Sequence, residues 1–100
     1  MEKNETFNKI KEDLNERYEE YKVFEIKKVF SSAKGKHWAI LIYTELETTH
    51  GLLKGYEYKD FEYLNQRGSF TAENEKDFLN YIDSWNKLNI SLGKLKEYSL

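Results

Sequence analysis

Only two histidines, His37 and His50, stand in this chain of 100 residues, so acid–base or metal chemistry that needs imidazole must use them. They bracket one predicted strand, thirteen positions apart. At ~3.3 Å per extended residue that is roughly 40 Å, too far for a shared metal ion or substrate within one chain. Each lies beside a turn and is expected to be a solvated side chain. Cysteine is absent, which removes disulfides, thiolate ligands and cysteine nucleophiles. Ser31 and Ser32 lack a neighbouring base or a nucleophile elbow. Any two of Glu45, Glu47 and Glu57 could be imagined as an acid–base pair, but acids clustered at a sheet end read as hydrated surface. The five glycines are isolated, so no phosphate-cradling loop is present. No catalytic residue, cofactor or metal is expected, and the chain does not read as an enzyme.

Two residue classes could still recognise a macromolecule. Of eight tyrosines, Tyr43, Tyr56, Tyr58 and Tyr63 fall with Phe61 on the second and third predicted strands. Aromatics suit half-buried pleated surfaces, and they also dominate interfaces. Beside them runs a lysine series, Lys22, Lys27, Lys28, Lys34 and Lys36. Aromatic platforms edged by lysine can bind single-stranded nucleic acid, with Lys22, Lys28, Lys34 and Lys36 as the phosphate contacts. Three features oppose that reading. Lys27 and Lys28 alternate in direction, Glu25, Glu45, Glu47 and Glu57 lie close by, and arginine is scarce, with two residues against fourteen lysines. The acidic face Glu12, Asp13, Glu16, Glu19 and Glu20 is interleaved with Lys9, Lys11 and Arg17, as on a solvated helix rather than a phosphate mimic.

The elements that position these residues follow from periodicity. Phe7, Ile10, Leu14, Tyr18 and Tyr21 make one apolar stripe and predict a helix over 3–20, with Glu2 and Glu5 at the positive end of its dipole. A strand over 22–32 places Phe24, Ile26 and Phe30 on one side and Val23, Glu25, Lys27 and Val29 on the other. Ala33–Lys36 forms a hairpin turn. The next strand, 37–46, is apolar on both faces: Trp38, Ile40, Ile42 and Leu46 point one way, Ala39, Leu41 and Tyr43 the other. Thr48–Gly51 turns into a third strand, 52–63, with a bulge expected near Gly55. A loop at 65–68 and a very short strand at Ser69–Phe70 precede Thr71, the expected N-cap of a helix over 72–89. The tail 90–100 is compatible with either continued helix or a stop at Gly93.

The fold expected is therefore α+β, a single domain in α-β-β-β-α order: a three- to four-stranded antiparallel meander with both helices mainly on one face. The opposite face would carry Lys27, Val29, Leu41, Tyr43, Tyr56 and Tyr58, and should bind a protein target or a second copy to make a homodimer. The net charge of −2 argues against bulk attraction to nucleic acid, which stays the less favoured partner. No apolar run approaches the ~20 residues of a membrane helix, and the charged N-terminus lacks the apolar centre of a secretory signal. A cytoplasmic location without membrane contact is expected. The lysine-, asparagine- and tyrosine-rich composition points to an AT-rich source. The function expected is an inhibitor or regulator of a larger protein, such as a mobile-element product blocking a host defence nuclease.

Overall fold

A computed structural model of the chain describes residues 3–88 and 93–100. Its elements are α1 (Lys3–Arg17), β1 (Val23–Ser31), β2 (His37–Thr48), β3 (Gly51–Glu62), β4 (Asn65–Ala72), α2 (Glu75–Leu88) and β5 (Lys96–Glu97). The strands form one antiparallel sheet in the order β4-β3-β2-β1-β5. This is the expected α+β domain in α-β-β-β-α order, enlarged to five strands because 65–72 and a short piece of the tail also pair. Glu2, Asn89 and residues 90–92, for which dipole, helix and tail expectations were framed, lie outside the described residues. Among the described residues, no helix is long and apolar enough to cross a membrane.

The two helices do not share a face. Phe7, Ile10 and Leu14 of α1, with Tyr18 in the turn that follows it, pack against Val29, Trp38, Ile40, Ile42 and Phe61. Phe78 and Ile82 of α2 pack with Ala39, Leu41, Tyr58, Ala72 and Leu95. Since Trp38, Ile40 and Ile42 alternate with Ala39 and Leu41 along β2, the two clusters lie on opposite sides of the sheet. The expected one-sided packing is thus corrected, and the reason is energetic. Each fully buried aliphatic side chain gains about 1.5–3 kcal/mol, so a strand apolar on both sides draws one helix to each. Ring contacts reinforce the α1 layer, with Phe7 stacked on Trp38 at 5.4 Å and Tyr18 on Phe24 at 4.9 Å.

Local irregularities set the facing of several side chains. β1 pairs Ile26 with Ile42 but Lys28 with Leu41, so Lys27 is the extra residue of a bulge. The bulge reverses the alternation: Val29 joins Phe24 and Ile26 on the α1 side, while Phe30 crosses to the α2 side. The bulge in β3–β4 pairing falls between Asp60 and Phe61, opposite Arg67, not at Gly55, which pairs regularly with Thr44. Thr71 lies within β4, and the cap of α2 is Asn74, whose Oδ1 accepts from Asp77 N–H at 3.1 Å while Asp77 accepts from Glu73 N–H at 3.0 Å. Gly35, at φ 70°, completes the β1–β2 turn, and its carbonyl accepts the Trp38 indole N–H at 2.8 Å.

Gly68 is required for a different reason. A Cβ there would stand 2.6 Å from Asp60 Oδ1, and that carboxylate is buried and accepts from the Tyr81 hydroxyl at 3.3 Å. Gly68→Ala is expected to destabilise the fold by about 1–3 kcal/mol, measured as a lowered urea midpoint. An unchanged midpoint would mean that Asp60 swings clear at no cost.

Candidate interaction surface

The sheet is longer than its helices. The twelve residues each of β2 and β3 extend for about 40 Å, whereas the fourteen residues of α2 cover about 21 Å. Burial follows this mismatch. From His37 to Ile42 every β2 residue is buried, and burial then weakens toward Thr48. The distal β2–β3 hairpin, from Tyr43 round to Tyr56, therefore projects past both helices.

Its α2-side surface is a strip across three strands. Glu25, Tyr43 and Tyr56 are successive cross-strand partners, and the two tyrosine rings meet edge to face at 5.3 Å. The Tyr43 hydroxyl donates to Glu45 Oε2 at 2.7 Å, which together with partial desolvation raises its pKa. Lys27 pairs with Glu25 at 3.2 Å, and Leu52 stands exposed near the hairpin turn. The opposite side of the same arm is an open groove of about 330 Å³ lined by Tyr21, Leu46, Leu53, Gly55 and Thr71 among others. Leu53 is 61% exposed.

Half of the expected partner-binding set reaches this surface. Lys27, Tyr43 and Tyr56 come together there, all half-buried. Val29 and Leu41 are 0% exposed and Tyr58 is 1% exposed; they are core residues under α1 or α2 and cannot touch a partner. The lysines of the nucleic-acid reading do not converge. Lys22 pairs with Glu47 at 3.6 Å at the arm end, and Lys36 pairs with Glu62 at 3.5 Å near the other end, where Lys34 also lies. Those ends of β1 are about 30 Å apart over its nine residues. Lys28 pairs with Leu41 and Lys27 with Glu25, so the bulge turns both toward the α2 side rather than to opposite faces.

The sequence also concealed several buried polar groups. His50 is exposed as expected, but His37 is buried, with Nε2 3.8 Å from Glu62 Oε2. Lys59 is buried on the α1 side, over the Tyr18 ring at 5.7 Å and donating to Ser69 at 3.4 Å. Burial lowers its pKa. Asp60 lies on the α2 side between Gly68 and Tyr81, whose own pKa burial pushes up to about 12. Among the described residues, no group of three or more His, Asp or Glu side chains could hold a metal ion. The sequence signal for the exposed leucines of the arm is the adjacent pair Leu52 and Leu53 beside a turn.

Comparison with protein-family models, curated proteins and solved structures finds no match to this chain in any of the three.

Burial lowers the pKa of His37 from its ordinary 6.5, against a smaller opposing pull from Glu62. Below pH 6.5 the unfolded chain takes up a proton that the folded chain resists. Stability should therefore decline as pH falls from about 6.5 through the lower folded value. Urea unfolding between about pH 5 and 7 should show this slope, and His37→Gln should flatten it. An identical slope in the variant would assign the effect to other groups.

Proposed function

We propose that this chain is a small non-catalytic binding module that inhibits or regulates a larger protein by placing its projecting β2–β3 arm in a cleft of that protein. The observation that carries the reading is the bare arm itself. Tyr43, Tyr56 and Leu52 line one side and Leu46 and Leu53 the other, where burial falls away past the helices and Tyr56 alone still packs against the α2-side core. Aromatic and leucine side chains on a rigid hairpin offer contact area at small entropic cost. The charges beside the tyrosines, Glu25, Lys27, Glu45 and Lys54, alternate in sign, which suits a polar protein rim better than a phosphate backbone. A single-stranded nucleic acid would instead need the dispersed lysines to act together.

The test is capture of protein partners on the immobilised chain, followed by affinity measurement with the partner found. Tyr43→Ala and Leu53→Asp should each weaken that affinity about tenfold or more, with thermal stability close to that of the unaltered chain. Equal affinity across all three proteins would rule out the arm. Salt-sensitive binding to labelled single-stranded DNA or RNA, with no protein captured, would favour the nucleic-acid reading.

A further inference from the structure

We propose that the free edge of β4 is a self-association site, at which β4 pairs antiparallel with β4 of a second copy about a twofold axis through Phe70. The proposal concerns the outer edge of β4, which adjoins the arm's groove at Thr71, and it does not rest on the arm being a binding surface.

The two margins of the sheet differ in kind. At β1, the tail occupies part of the outer edge: Phe30 and Ser31 pair with β5, and Tyr98 N–H donates to the Val29 carbonyl at 2.7 Å. The rest of β1 carries a bulge with Glu25, Lys27 and Lys28, the features that discourage a further strand. At β4, which ends the sheet, no described segment pairs with the outer edge. Its only charged residue, Arg67, is bound to Glu62. The bulge falls at Arg67, leaving Gly68–Ala72 as a regular, uncharged run of five residues centred on Phe70. β4 itself contributes no lysine, proline or inward charge to this run. The buried charges beside it, Lys59 at Ser69 and Asp60 at Gly68, belong to β3 and are held by partners on either side of the sheet.

The same run is complementary to itself. A twofold axis normal to the sheet keeps equivalent faces side by side, so α2-side residues meet α2-side residues. With Phe70 on the axis, its ring faces the ring of the second copy. Gly68 then stands opposite Ala72 on that same side, and Ser69 opposite Thr71 on the α1 side, as their pairing with β3 fixes. Aromatic–aromatic and Ser–Thr pairs are favourable directly across strands. Phe70 is 39% exposed although it stacks on Tyr58 at 4.5 Å, and Tyr81 flanks it at 5.9 Å. Addition of the second β4 would cover that exposed edge. No pair of like charges is brought together in the run, which distinguishes a second copy from an arbitrary strand.

Sedimentation equilibrium on the full chain should show a monomer–dimer equilibrium. Phe70→Lys places like charges opposite each other on the axis and should weaken the dimer by about tenfold or more. Because that variant also loses the contact with Tyr58, a second measurement guards against misfolding. The natural chain has no cysteine, so the double variant Ser69→Cys, Thr71→Cys should oxidise to a covalent dimer. A monomer at all concentrations, including under oxidation of the double variant, overturns the proposal. So does a dimer that persists in folded Phe70→Lys, or one that dissociates with Tyr43→Ala instead.

Discussion

The constraint on which the structure depends is the two-sided burial of β2. His37 to Ile42 are buried without interruption, and their side chains alternate between Trp38, Ile40 and Ile42 on one side and Ala39 and Leu41 on the other. Such a strand is stable only if both sides are covered. One helix on either side meets that demand, and it accounts for two clusters with no shared helix residue. The amphipathic stripe of α1 and the narrower one of α2 are each matched to one side of the same strand.

Length is the second constraint, and it turns the first into a surface. Helices advance about 1.5 Å per residue and strands about 3.3 Å. Helices and strands of similar residue number therefore cannot cover each other end to end. The uncovered remainder of β2 and β3 is long, and it retains Tyr43, Leu46, Leu52, Leu53 and Tyr56. Polar partners blunt this surface: Glu45 holds the Tyr43 hydroxyl and Glu25 holds Lys27. The result is a mixed apolar and polar surface, not a continuation of the core.

Periodicity revealed the elements but not where they pack. The stripe Phe7, Ile10, Leu14, Tyr18 and the double-sided β2 were legible, because both depend on residue spacing alone. The side taken by α2 was not, because it depends on where β4 delivers the chain. β4, with the sequence NQRGSFTA, reads as a loop at 65–68 and only a very short strand at Ser69–Phe70, because polar residues and glycine dominate it. Its strand character comes from tertiary pairing with β3, which overrides propensity. The β1 bulge was invisible for a related reason. Lys27 and Lys28 are chemically alike, and only the pairing with β2 decides which residue is extra. That single displaced position moved Val29 from the expected surface into the α1 core, while Leu41 and Tyr58 left the candidate site because α2 covers their side of the sheet.

Lys59 and Asp60 explain why this register, rather than a neighbouring one, is adopted. They are adjacent, oppositely charged and both 7% exposed, yet they point to opposite sides of β3. Lys59 finds the Tyr18 ring and Ser69 on the α1 side, while Asp60 finds Tyr81 and the space left by Gly68 on the α2 side. A slip of one residue exchanges the two sides of the strand. Lys59 would then enter the layer with Phe78 and Ile82, and Asp60 the layer with Leu14 and Ile40, each without its partners. A buried charge lacking partners costs several kcal/mol, far more than the loss of one cross-strand apolar contact. The two charges thus contribute little to net stability, but they penalise every odd-numbered shift of β3. Asp60 also favours glycine at 68, so the residue that makes β4 look like a loop is part of what fixes it as a strand.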